Sequence, residues 1–143
     1  MNKQNKYSNF MFKLNNATNN EYYYEAIFIE YAIIEDRTES LLKHAKIKYR
    51  EDNGQGFKLA KKLDKIRSRE EFQDTYIKKH IPNELLDKVK EWKNERDKLM
   101  HDIINVEYEN ENIKNIALTG ECIVKRLNNK TKLVNAYLDK KMA

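Results

Sequence analysis

The stretch "PNELLDKVKEWKNERDKLMHDII", residues 82–104, decides how this chain folds. At 100° per residue, Leu85, Val89, Trp92, Leu99 and Ile103 fall within roughly 40° of a common direction. That is the period of an amphipathic helix and not of a strand. Proline is tolerated in a first helical turn, so Pro82 opens the helix, and Glu84 suits its positive N-terminal end. A helix with one apolar face needs partners, and the rest of the chain supplies them. In residues 21–49, Ile27, Tyr31, Ile34, Leu41 and Ala45 recur at three- and four-residue steps. "FKLAKKLDKIRS", 57–68, reads as a short basic amphipathic helix and "REEFQDTYIKKH", 69–80, as another. The polar run "NVEYENEN", 105–112, ends the central helix, and a last helix spans roughly 113–140, with Gly120 or Asn128–Asn129 as candidate breaks. Nothing reads as a strand, and 3 Gly and 1 Pro in 143 residues leave few breakers. The expectation is an all-α protein, an antiparallel up-and-down bundle of about four to five helices. It forms a single helical domain over 21–143. Residues 1–20, with seven asparagines, are expected as a loose arm or short docking segment.

Charge is spread unevenly. Residues 43–79 carry 12 Lys/Arg against 6 Asp/Glu, and residues 125–141 carry 6 against 1. The remainder is mildly acidic, and the whole chain sums to +5. Two basic segments of this kind attract a polyanion, or serve as solvated helix faces. Cys122 is the only cysteine, so no internal disulfide forms and a reducing cytoplasm fits. No apolar run approaches the roughly 18 residues of a membrane span, and "MNKQNKYSNF" has no signal-peptide core. There is no HExxH motif, no Cys/His cluster and no Gly-rich loop. Zinc, P-loop and Rossmann chemistry are therefore not expected, and neither is a cofactor.

One residue breaks the pattern of the central helix. Arg96 falls within roughly 20° of Leu85, on the apolar stripe. A guanidinium is always charged, and burying it unpaired costs several kcal/mol. It therefore lies at the open end of the seam, pairs with a carboxylate of another helix, snorkels, or faces a second subunit. Asp97 follows it, and His101 lies four residues beyond Asp97, a spacing at which a carboxylate can hold an imidazole and set its tautomer.

The run "ERDKLMH", with Arg96, Asp97 and His101, resembles the signature of HEPN (higher eukaryotes and prokaryotes nucleotide-binding) domains. In that family an arginine followed by a polar residue precedes a histidine by four to six residues. Arg37 and His44 repeat the pattern with six residues between. The later pair is preferred, because the polar neighbour follows its arginine and it lies in the penultimate long helix. The toxin subgroup paired with nucleotidyltransferases has a tyrosine two residues after the histidine; this chain has Ile103. The resemblance implies a helical bundle and a metal-independent endoribonuclease. It further implies a role in toxin–antitoxin or abortive-infection defence, with a neutralising antitoxin or other defence-system protein as a partner.

The chemistry suits those residue types. An RNA 2′-OH can attack the adjacent phosphate, which needs a base for its proton, an acid for the leaving 5′-oxygen and positive charge on the phosphorane. Histidine can take or give the proton, and arginine matches phosphate oxygens with a planar fork. One histidine and one arginine make half a site, and a two-fold homodimer would join two halves. Expected catalytic residues are Arg96, His101 and Asp97. Expected supporting or RNA-contacting residues are Glu30, Arg37 and His44, spaced seven apart along one line, with Glu35 and Asp36 able to orient Arg96. Basic helix 57–69 is placed to draw RNA in. Tyr22, Tyr23 and Tyr24 point three ways and mostly pack. Two other readings stand beside this one: a catalytically inactive HEPN-like bundle that binds RNA or a partner protein, and a small helical interaction protein with a chance motif.

Overall fold

The computed structural model describes residues 3–103 and 110–143. Six α-helices make an all-α bundle: α1 (Lys3–Asn19), α2 (Tyr23–His44), α3 (Leu59–Ser68), α4 (Thr75–His80), α5 (Asn83–Asp102) and α6 (Asn110–Lys141). A 3₁₀ turn at Glu70–Phe72 precedes α4. Helices α2 and α6 form the central pair, with α1 and α3 flanking α2. Helix α5 packs on α6 and α3, and α4 on α6. The core between them holds Ile27, Ile34, Leu41, Leu85, Val89, Trp92, Val124 and Leu138, all buried. No described helix is long and apolar enough to cross a membrane.

The first twenty residues, expected as a loose arm or a short docking segment, form a helix over residues 3–19 that packs on α2, which brings the count among the described residues to six. Tyr7, Met11, Leu14 and Ala17 recur at helical spacing and turn inward, with Leu14 fully buried. The asparagines at 5, 9, 15, 16, 19 and 20 are exposed. Composition suggested disorder because the asparagines outnumber the anchors, yet four apolar side chains on one stripe suffice to dock the helix on α2.

Two helices end in the same way. Tyr22 N–H donates to Ala17 C=O and Glu21 N–H to Thr18 C=O, with Glu21 at φ 62°. Ile47 N–H donates to Leu42 C=O and Lys46 N–H to Lys43 C=O, with Lys46 at φ 58°. Both are Schellman motifs in which a non-glycine residue takes the left-handed position. The second stops α2 at His44, short of the expected Tyr49. The apolar pattern continues because Ala45 and Ile47 are buried in the following turn.

Helix α6 runs unbroken through Gly120 and Asn128–Asn129. At Gly120, α6 runs close against Glu30 of α2 and Trp92 of α5. A Cβ there would lie 2.1 Å from Glu30 Oε1 and 2.7 Å from Trp92 Nε1. The glycine permits the crossing at the modest helix-propensity cost of a glycine. The polar run expected to end α5 lies largely outside the described residues, and α6 already begins at Asn110.

Candidate active site

Pro82 takes the N-cap position of α5, just outside the helix, with φ −73°. From there Leu85, Leu86, Val89 and Trp92 bury one stripe, and Trp92 Nε1 donates to Ile116 C=O at 2.9 Å. One turn further on comes Arg96. Its guanidinium carbon sits 4.0 Å from the centroid of the Tyr31 ring on α2. Nη1 donates to Asp97 at 3.1 Å, while Nε is buried with no partner among the described residues. The side chain keeps 24% of its surface exposed. The stripe position predicted for Arg96 is therefore occupied. What lies against it is an aromatic face and a carboxylate of its own helix, not an acid from another helix.

Asp97 is fully engaged. Lys93 Nζ donates to one carboxylate oxygen at 2.7 Å and Arg96 to the other. Burial works to raise this carboxyl, but the bonds from Lys93 and Arg96 outweigh it and hold the pKa below the usual carboxylate range. His101 is exposed in the last turn of α5 and makes no hydrogen bond or ion pair to another described residue. Asp97 thus faces Arg96 and Lys93 and does not hold the imidazole.

Tyr31 and Lys93 border Arg96 directly, and Lys62 lies near Glu35 on the same helix as Tyr31. Tyr31 has its hydroxyl pKa raised by burial and then by the charge of Glu35, with Arg96 opposing. Lys62 of α3 is buried and donates Nζ to the Glu35 main-chain oxygen at 3.3 Å. Lys93 supplies the third cation. Neither Tyr31 nor Lys62 was marked by the sequence, since a tyrosine in an apolar stripe reads as core and a lysine in a basic helix reads as solvated. Glu35, expected to orient Arg96, makes no hydrogen bond or ion pair with it among the described residues.

The remaining supporting residues lie elsewhere. Arg37 is buried against α1, its Nε donating to Tyr7 Oη at 2.9 Å and Nη2 to Asp36 at 3.0 Å. His44 Nδ1 is 2.6 Å from Asp139 on α6. Glu30 is fully buried, and neither carboxyl oxygen has a partner among the described residues. Burial, then the charges of Glu121 and Cys122, push its pKa up to about 9, so it is a neutral acid at pH 7. It lies against Gly120 and Trp92 and does not touch Arg96. Among the described residues no group of three or more His, Cys, Asp or Glu is arranged to hold a metal ion. A groove of about 830 Å³ runs between α5 and α6 with Trp92, Ile116 and Ile123 among its lining residues; Arg96 and His101 do not line it.

What the α5 seam can do follows from these parts. A guanidinium backed by an aromatic ring is held in one plane and keeps its charge. An imidazole without a hydrogen-bond or ion-pair partner among the described residues stands exposed at the C-terminal end of the same helix. Compared with protein-family models, curated proteins and solved structures, the chain gives no significant match.

Proposed function

We propose that the protein is a metal-independent endoribonuclease of the HEPN type that acts as a cytoplasmic homodimer in bacterial or mobile-element defence. The observation that carries this reading is the pose of Arg96. Its guanidinium is braced on Tyr31 and left partly open, on the helix that ends with an unpaired His101. In the proposed reaction the RNA 2′-oxygen attacks the adjacent phosphorus and the bond to the 5′-oxygen breaks. One imidazole takes the 2′-proton, and its counterpart from the second copy protonates the leaving oxygen. The arginines neutralise the phosphorane. The products are a 2′,3′-cyclic phosphate and a 5′-OH.

A second reading is an inactive bundle of the same type that binds RNA or a partner protein such as an antitoxin. The engagement of Asp97 with Lys93 and Arg96, leaving His101 unsupported, favours it.

The experiment is RNA cleavage in EDTA with end-group analysis by mass spectrometry. His101→Ala should lower the rate by about 10²–10⁴-fold with folding retained, the usual range for a lost acid–base group. A wild-type protein that binds RNA and leaves it intact would establish the second reading instead.

A further inference from the structure

The two basic segments, remote in sequence, meet on the edge formed by α4 and the second half of α6. Tyr76 of α4 stacks on Tyr137 of α6 at 4.4 Å between ring centroids and an interplanar angle of 26°. The His80 ring meets Tyr76 edge-on at 4.6 Å. The ladder is fixed in place by Asp74, which caps α4 at Tyr76 N–H and accepts from Tyr137 Oη at 2.5 Å and Lys141 Nζ at 2.8 Å. Tyr76 still exposes 37% of its surface.

Cations crowd this ladder. Lys79 and Lys130 form no ion pair among the described residues, and Lys78 bonds only a neutral amide, Asn83 Oδ1, at 2.8 Å. Their proximity is felt by their neighbours. The His80 pKa is lowered by burial and then by Lys130 and Lys79, and the Lys78 pKa by burial and then by Arg67. Arg67 is paired with Asp87, but Lys79 and Lys130 near His80 have no paired acid, and such like charges favour a polyanion that supplies the counter-charge.

The geometry points to a binding surface for single-stranded nucleic acid on the α4–α6 edge, with Tyr76 as a base-stacking platform and Lys78, Lys79 and Lys130 meeting phosphates. An aromatic ladder beside unpaired cations is the combination that single strands use, because every base offers a π-face and every linkage a charge. A lipid surface would need an apolar wedge, whereas here the rings are stacked on each other. The surface borders the start of α5, about 21 Å along the helix axis from Arg96. It stands apart from the cleavage reading.

Binding of a fluorescein-labelled (dT)12 strand, measured by anisotropy between 50 and 200 mM salt, tests the assignment. This probe has no 2′-OH, so it reports binding whether or not the protein cleaves RNA. Lys79→Ala/Lys130→Ala should weaken binding at low salt at least tenfold and reduce the log–log salt slope by about 1.4, the value for two lost single-strand phosphate contacts. Tyr76→Ala should weaken binding about tenfold while Tyr76→Phe leaves it unchanged, with circular dichroism confirming the fold of each. The proposal is overturned if the double lysine variant keeps its affinity and slope, or if Tyr76→Ala binds like wild type. It is overturned equally if phosphatidylserine vesicles bind through the same lysines while (dT)12 does not bind.

Discussion

Arg37 and Arg96 are the same device in two settings. Each guanidinium lies over a tyrosine ring of another helix, at 4.1 Å for Arg37 on Tyr7 and 4.0 Å for Arg96 on Tyr31. Each is bonded to the aspartate next to it in sequence, Asp36 at 3.0 Å and Asp97 at 3.1 Å. The difference is closure. The Arg37 side chain is 6% exposed and its Nε is satisfied by the Tyr7 hydroxyl, whereas Arg96 is 24% exposed and its Nε is not satisfied. A cation closed over inside the fold serves stability, whereas Arg96, although its Nε is buried, keeps about a quarter of its side chain open to a further partner.

That contrast can be broken at several points. The largest effect expected is on activity. Arg96→Lys keeps the charge but loses the fork and the flat contact with Tyr31, and should slow RNA cleavage at least 100-fold while moving stability by less than about 1 kcal/mol. Equal losses of both in urea titrations would make Arg96 a second Arg37. Arg37→Met should show the reverse: a loss of about 3 kcal/mol of stability, since Asp36 and Tyr7 lose a buried charged donor, with cleavage by the remaining folded protein intact.

Glu30 sharpens the comparison from the acidic side, being a buried ionisable group with no hydrogen-bond partner among the described residues. Its pKa is raised from 4.5 to about 9, so the folded state holds a proton that the unfolded chain releases. Stability from this group is full below about pH 4.5 and falls as pH rises toward 9. Glu30→Gln should flatten that decline and leave the variant about 3 kcal/mol less penalised at pH 7, read from denaturation midpoints across the range. An unchanged slope would mean that Glu30 is hydrated in solution. The smallest effect belongs to Tyr7→Phe, which removes one hydrogen bond to Arg37 but keeps the ring, and should cost about 1 kcal/mol.

The bundle was legible wherever one stripe of residues did one thing. The pattern from Leu85 to Leu99 and that from Ile27 to Ala45 identify their helices because burial follows the helical period, and the odd place of Arg96 follows from the same arithmetic. Reading failed where a minority of residues governed. Helix α1 hides behind its asparagines, although Leu14 and Ala17 decide its position. Lys46 gives no sequence sign of a left-handed helix end. The candidate pair, Arg96 and His101, can be named from the sequence alone. The ring behind Arg96 cannot, because Tyr31 looks like core.

By itself the chain's order of apolar and polar residues determined that this protein is helical, and where a guanidinium would interrupt an apolar face. That information is local: it repeats every three or four residues and needs no neighbour to be read. Only the tertiary structure decided what each charge meets: Tyr7 closing over Arg37, Tyr31 backing Arg96, Gly120 lying against Glu30, Tyr76 stacked on Tyr137 among lysines. Those pairings join residues from 30 to 90 positions apart. They depend on how helix faces are turned toward one another, which is set by packing and is written in no single segment.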